Sequence, residues 1–349
     1  MRNFIHILSL YIRIFLILFF CGCESDQKPK MVNIYSHSLS MFSKGSGTPA
    51  IVIDVGFAES YNNWMQIIDS LSEYSRVIAY DRAGYGQSEP GPFPRDCQQE
   101  VLELNTMLER ANVKQPYIII GHSLGALNAQ YFAYMFSTAT AGLVLLDPPP
   151  FGWISGRADF PDLDSMAREQ TESFYSMAEM ARASVNPEDE LFAEYFETLA
   201  SEHSSMFNSS AELIGSIGSF SDLPLTVIAG GRANPRFGKS AERFQRFWIN
   251  ESRAVASKSS RGKFVLIEES THHIHKDFPQ QVISEIKKML TDIRKNRFET
   301  DNIKKEFERL KRLDVKFTME AIKMRPVTLA IFDDTCGNLI QIVEKQDNS

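Results

Sequence analysis

Cysteine is scarce: the 349-residue chain has four, and two of them, Cys21 and Cys23, adjoin the N-terminal apolar run. The other two, Cys97 and Cys336, lie far apart in what read as separate units. So few thiols exclude a disulfide framework, and both read as ordinary half-buried side chains. A basic cluster is also missing. Lys and Arg number 37 against 44 Asp and Glu, for a net charge of -7, so nothing would track a phosphate backbone and no nucleic-acid partner is expected. There is no internal repeat and no long low-complexity segment, which excludes solenoid and propeller architectures. What is present is ordinary for a globular protein, with 43% hydrophobic and 23% charged residues. The length suits one large α/β domain with additions.

The N-terminus stands apart from the fold. Arg2 precedes a strongly apolar run ending in Ile14-Phe15-Leu16-Ile17-Leu18-Phe19-Phe20, followed by Cys21-Gly22-Cys23 and the polar Glu24-Ser25-Asp26-Gln27-Lys28. A basic start, an apolar core and small residues at the end predict a secretory signal. The Gly22-Cys23 ending resembles a bacterial lipobox. Residues 1–23 then form a lipoprotein-type signal, with Cys23 lipidated and the chain exported and held at a membrane through that anchor. Phe20, Cys21 and Arg13 depart from the usual pattern. A simple signal peptide and an uncleaved membrane anchor are the competing readings.

From there, short apolar β-rich runs alternate with helical patterns. Ile51–Val55, Arg76–Tyr80, Tyr117–Ile120, Gly142–Leu146, Leu225–Ala229 and Lys263–Glu268 read as strands, with helices over Trp64–Ser72, Gln98–Ala111 and Ala126–Phe136. Near-continuous apolar strands alternating with helices predict an α/β fold with a doubly wound, mostly parallel sheet. Chemistry on such a sheet gathers at the carboxyl ends of its strands. Between about 148 and 223 the alternation breaks. Pro148-Pro149-Pro150 cannot continue a strand, and helical stretches follow over Asp162–Arg182, Pro187–Phe207 and Ser210–Phe220. This insertion is rich in aromatics and Met. It reads as a helical cap whose side chains divide between its own core and a substrate pocket.

The motif with the most chemistry is Gly121-His122-Ser123-Leu124-Gly125, between the Tyr117–Ile120 strand and the helix from Ala126. Strand, Gly-x-Ser-x-Gly, helix is the context of a nucleophile elbow, with Ser123 exposed at a tight turn. Ser123 then needs a base. Three histidines follow the last strand in Ser270-Thr271-His272-His273-Ile274-His275, and His272 best fits the spacing to the helix at Asp277-Phe278-Pro279. His273 and His275 read as supporting or surface residues. The base needs an orienting carboxylate, but the loop from Gly230 to Lys239 holds no acid. Asp147, at the end of Gly142–Leu146, is the substitute. Glu242 is the alternative acid, and a cap for the turn into the prolines is the plain structural role for Asp147. Two backbone N–H donors should face a developing oxyanion. Leu124, directly after the nucleophile, and Phe57, in Asp54-Val55-Gly56-Phe57-Ala58, are the candidates, with Asp54 bracing the loop. Tyr80-Asp81-Arg82-Ala83-Gly84-Tyr85-Gly86-Gln87-Ser88 lacks the lysine and spacing of a phosphate loop. It reads as a structural turn in which Asp81 and Arg82 tie loops together.

Together these residues resemble the α/β-hydrolase superfamily from about Met31 to Lys295, in the bacterial branch with Tyr-Asp-Arg-Ala-Gly-Tyr-Gly-x-Ser, Pro94-Arg95, Gly-His-Ser-Leu-Gly and Leu-Val-Leu-Leu-Asp. The resemblance implies an α/β-hydrolase fold over residues 24–296, a helical cap (about 148–223) inserted after the sixth strand, and a Ser-Asp-His order. It supports Asp147 as the acid. Asp54-Val55-Gly56 departs from the usual His-Gly, and Ala126 from a frequent Gly. A serine nucleophile argues against the dehalogenase and epoxide-hydrolase branches, which use Asp. The expected activity is hydrolysis of a small-molecule carboxylic ester or related acyl bond by Ser123, His272 and Asp147, without cofactor or metal. An amide, peptide or lactone hydrolase is the alternative within enzymes, and a non-catalytic surface binding protein with a vestigial triad is the alternative outside them.

The tail over 297–349 resembles part of a glyoxalase/bleomycin-resistance (vicinal oxygen chelate) module. It reads as a helix around Glu306–Leu313 and three strands around Val315–Met319, Val327–Phe332 and Asp333–Ile342. Gln341 stands where that family's carboxylate ligand is usual, so neither metal nor glyoxalase chemistry is expected. The tail reads as a fused remnant or as a strand-rich module that pairs with another copy of the chain.

Overall fold

A computed structural model describes residues 28–295 except 185, 187 and 188, then the strand backbones at 298–299, 317–324, 327–333 and 339–345 and the single positions 307 and 311. The signal and lipidation readings, Cys23 and Cys336 fall outside the described residues, as does nearly all of the helix expected around Glu306–Leu313.

The main sheet has eight strands: β1 (Lys30–Asn33), β2 (Ser38–Lys44), β3 (Ala50–Asp54), β4 (Val77–Tyr80), β5 (Tyr117–His122), β6 (Thr140–Leu146), β7 (Leu225–Gly230) and β8 (Gly262–Ile267). Their order is β1-β2-β4-β3-β5-β6-β7-β8, parallel from β4 onward. All six expected strands are present. The β1–β2 pair, which runs antiparallel onto β4, was not anticipated. β1 is short, and the polar residues of both strands leave no continuous apolar run.

Alternation along each strand loads both faces of the sheet. Val52, Ile78, Ile119, Leu143 and Leu145 enter one core with α2 (Cys97–Arg110) and α3 (Leu124–Met135). Their neighbours Ile51, Ile53, Ile118, Ile120, Val144 and Leu146 enter the other, with α1 (Met65–Ser72) and α10 (Pro279–Lys295). Each such fully buried aliphatic side chain contributes about 1.5–3 kcal/mol. The central strands are therefore buried on both faces, which is why they read as unbroken apolar runs.

Between β6 and β7 the chain forms α4 (Phe151–Ile154), α5 (Pro161–Arg182), α6 (Asp189–Met206) and α7 (Ser209–Gly215), with no strand among the described residues. This is the expected cap. The helix anticipated as far as Phe220 ends at Gly215, because the chain turns to hydrogen-bond the Phe220 N–H to the Lys258 carbonyl (2.8 Å). After β7 comes α8 (Ala241–Ala256), also not anticipated, and after β8 the single turn α9 (Ile274–Asp277).

Beyond α10 a second sheet has the order β10-β11-β12-β9, from β9 (Phe298–Glu299), β10 (Phe317–Met324), β11 (Val327–Asp333) and β12 (Leu339–Lys345). β10 to β12 form an antiparallel meander and β9 adds a short parallel edge. Three of these strands match the reading of the tail; β9 was not foreseen.

Candidate active site

The elbow is built by steric exclusion. Ser123 sits at φ 52° and ψ −120°, a conformation that costs a non-glycine residue about 1–3 kcal/mol. Gly121 and Gly125 make it possible. A β-carbon on Gly121 would lie 2.2 Å from the Gly125 carbonyl oxygen, and one on Gly125 2.3 Å from the Asp54 carbonyl oxygen. The Ser123 N–H bonds to the Leu146 carbonyl at 3.0 Å, tying the turn to the neighbouring strand end. The serine thus stands between β5 and α3, above the carboxyl ends of β3, β5 and β6.

Asp147 follows β6 directly, at a φ of 46°. It is buried, its N–H bonds to the Ile228 carbonyl at 2.8 Å, and its Oδ1 accepts the Gly230 N–H at 3.0 Å. Its Oδ2 lies 2.6 Å from Nδ1 of His272. That geometry makes Nδ1 the donor and leaves Nε2 to act as a base. The His272 loop is braced by Asp277, whose Oδ2 accepts the Thr271 N–H (2.8 Å) and hydroxyl (2.6 Å). Trp248 of α8 meets the His272 ring edge-on at 5.4 Å. The alternative acid, Glu242, is an exposed residue in the first turn of α8. The elbow and the His272 loop are joined directly: Nε2 of His122, next to Ser123, is 3.0 Å from the His272 carbonyl oxygen.

Of the oxyanion candidates, Leu124 begins α3, so its N–H has no partner inside the helix. In the loop after β3, Gly56 N–H is taken by Oε2 of Glu59 (3.0 Å) and Ala58 N–H by the Tyr85 hydroxyl (3.4 Å). The Phe57 N–H lies between these two engaged amides. Arg82 fixes the same loop from beneath. Its Nη1 donates to Asp54 Oδ1 (2.8 Å) and the Val55 carbonyl (2.6 Å), and its Nη2 to the Gly56 carbonyl (3.0 Å). Asp54 is therefore a brace, as the residue pattern suggested. Burial raises its pKa even against the pull of Arg82. The Tyr80–Ser88 turn is structural too. A β-carbon on Gly84 would come within 2.4 Å of Thr198 Oγ1, so this turn packs directly on cap helix α6.

Sequence reasoning missed Glu59. This buried carboxylate gathers Gly56 N–H, Nδ1 of His122 (3.1 Å), Nε2 of His275 (2.8 Å) and the Lys276 ammonium (3.2 Å). Burial alone would raise its pKa, but hydrogen bonds from His122 and His275 outweigh that and hold Glu59 well below the usual carboxylate range. His275, expected as a supporting or surface residue, is 3% exposed and stacks flat on Trp64 at 4.3 Å. His273 is exposed. The one available signal for Glu59 was its place just past the carboxyl end of β3, where functional groups collect.

A chain of aromatic contacts runs through the cap between the loop after β3 and His272. Centroid contacts run from Phe57 to His203 (5.6 Å), Phe207 (5.3 Å), Trp153 (4.9 Å) and Phe244 (5.0 Å), then to Trp248 (5.5 Å) and back to His272 (5.4 Å). His203 is buried among these rings, and burial lowers its pKa to about 4. Its Nδ1 is 2.7 Å from the Thr171 hydroxyl. A separate cavity of about 340 Å³ opens within the cap, lined in part by Trp153, Ala167, Arg168, Thr171, Phe207 and Asn208. None of Ser123, Asp147 or His272 reaches it.

Residues 49–192 match the alpha/beta hydrolase fold family. The chain is 26% identical over 240 residues to YqjL, an uncharacterized protein of Bacillus subtilis, covering 68% of this chain and 82% of that one. A thermophilic esterase from Thermogutta terrifontis, with malate bound, superposes with a TM-score of 0.54 at 18% identity, covering 76% of this chain and 99% of that one. A laboratory-evolved variant of a potato epoxide hydrolase superposes with a TM-score of 0.57 at 16% identity, covering 77% of this chain and 100% of that one. Fold, strand order and the match over residues 49–192 agree, and the chain has the alpha/beta hydrolase fold.

Proposed function

We propose that the protein is a serine hydrolase that cleaves a carboxylic ester or related acyl bond through an acyl-enzyme. In this reading the Ser123 hydroxyl attacks the acyl carbon as Nε2 of His272 removes its proton. Asp147 holds the Nδ1–H of His272 and balances the imidazolium that forms. The Phe57 and Leu124 amides take the charge on the carbonyl oxygen. Collapse of the tetrahedral intermediate breaks the bond to the leaving group, which receives the proton from His272. Water, activated by the same imidazole, then releases the acid and restores Ser123.

The observation that carries the reading is the 2.6 Å contact between Asp147 Oδ2 and His272 Nδ1, joining residues 125 positions apart beside a strained serine elbow. The esterase and the epoxide hydrolase share this fold, so fold alone does not choose a chemistry. A serine at the tip of the elbow favours acyl transfer. The chain of aromatic side chains between Phe57 and His272 supports a substrate with an apolar acyl or alcohol part. The test is hydrolysis of a p-nitrophenyl ester series and labelling by a fluorophosphonate probe, on the natural protein and on Ser123→Ala. Turnover and labelling should both disappear in the variant; labelling that survives would refute Ser123 as nucleophile.

A further inference from the structure

Three side chains outside the proposed triad converge beside it. Ligand atoms of Glu59, His273 and His275 all lie within 4.8 Å of one another. They come from two places distant in sequence: the loop after β3 and the turn that continues from His272. Two of the three are fixed in the interior. Glu59 is held by Gly56 N–H at 3.0 Å and the Trp64 indole N–H at 3.5 Å. His275 is pinned by its stack on Trp64, and its Nδ1 is buried without a hydrogen-bond partner. The third, His273, faces solvent, and among the described residues its ring has no hydrogen bond. The place already attracts a cation. The ammonium of Lys276 stands 3.2 Å from Glu59 Oε1, on a side chain 43% exposed and able to swing into water.

One carboxylate and two imidazoles form a mixed oxygen and nitrogen donor set suited to borderline divalent cations rather than to Ca²⁺ or Mg²⁺. Zn²⁺ takes such ligands at about 2.0–2.2 Å, which places the donor atoms of a tetrahedral site about 3.3 Å apart. Glu59 and His275 are already at 2.8 Å. Closure therefore falls mainly on His273, the exposed member. We propose that Glu59, His273 and His275 form a site for a divalent transition cation, Zn²⁺ foremost, and that its occupancy inhibits the hydrolase.

Inhibition follows from what else Glu59 holds. The same carboxylate braces Gly56 in the oxyanion loop and His122 beside Ser123, and His122 in turn bonds the His272 carbonyl. A cation that claims Glu59 and draws in the 273–275 turn displaces Lys276 and shifts the loop carrying His272. This inhibitory half rests on the proposed hydrolase function; the binding half does not.

The experiment is calorimetric titration of Zn²⁺ into the full-length protein and into His273→Ala, with p-nitrophenyl ester hydrolysis followed in parallel. His273 is exposed, so the variant should fold and keep its basal activity. The expected result is one Zn²⁺ per chain, at least tenfold weaker binding in the variant, and activity that falls as the natural protein fills while the variant resists. No saturable binding, or equal binding by the variant, overturns the site. Binding that depends on His273 but leaves turnover unchanged overturns the inhibition. A chain inactive on every ester would refute the hydrolase reading, while the calorimetry would still decide the site.

Discussion

Asp147 holds three pieces of the molecule together. Its backbone N–H closes the β6–β7 edge, one carboxylate oxygen caps the end of β7 through Gly230, and the other orients His272. A carboxamide would keep the shape of this residue. It would also present the His272 ring with the wrong partner and offer no charge to the imidazolium. Asp147→Asn should therefore lower kcat by about 10⁴-fold with little change in KM. Glu242→Gln, at the exposed start of α8, should leave both constants unchanged. Steady-state kinetics of the two variants decides between the acids, and an Asp147→Asn enzyme within tenfold of the natural protein would exclude Asp147.

At the scale of elements, the cap is held by one buried ion cluster. Glu202 of α6 receives Nε and Nη2 of Arg82 at 3.0 and 3.2 Å and the Tyr85 hydroxyl at 2.6 Å. One residue earlier, the Ser201 hydroxyl accepts the Arg95 N–H at 2.9 Å. Burial pushes Glu202 up, but Arg82 outweighs it and keeps the carboxylate ionised. Glu100 next to it is raised well above the usual range by burial and then by Glu202. Arg82 thus bonds the oxyanion loop and the cap at once. Glu202→Gln removes a charge that Arg82 needs in a place without water. With Asp54 still in contact, the loss should fall at the low end for a broken buried pair, about 3 kcal/mol. Urea denaturation measures it, and hydrogen exchange should quicken in α5 and α6 before it does in the sheet. A loss below about 1 kcal/mol would show that this pair does not hold the cap.

For the whole molecule, the buried His203 contributes to the response to acid. Burial brings His203 from 6.5 down to about 4. Between those values the unfolded chain binds protons that the folded chain refuses, so stability is complete above pH 6.5 and falls as pH drops toward 4. The full shift at one such histidine is worth about 3 kcal/mol. Glu103 adds to the same trend lower down. Burial opposes its ionisation, but Arg95 prevails and holds it at about 2, so its contribution is lost as pH falls from 4.5 through that value. The loss of melting temperature between pH 7 and pH 4 should therefore be smaller in His203→Gln than in the natural protein. An equal change in both proteins across that window would rule out a buried neutral His203.

The parts of this protein legible in its sequence are those whose causes are local. A strand buried on both faces must be an apolar run, and an elbow whose turn excludes side chains must carry glycines at 121 and 125. The cap announced itself through the prolines at 148–150 and the absence of strands behind them. Even the pairing of Asp147 with His272 could be inferred, because the loop after β7 is empty of carboxylates and Asp147 ends the strand beside it. The β1–β2 pair and α8 were not legible, since their short or strongly polar patterns gain their faces only from the sheet and cap they pack on. Tertiary structure alone decided the buried charges. Glu59 meets His275 across 216 positions and Arg82 meets Glu202 across 120. A lone Glu or Arg in a loop reads as solvated wherever it falls, because only the assembled fold removes the water that would otherwise be its partner.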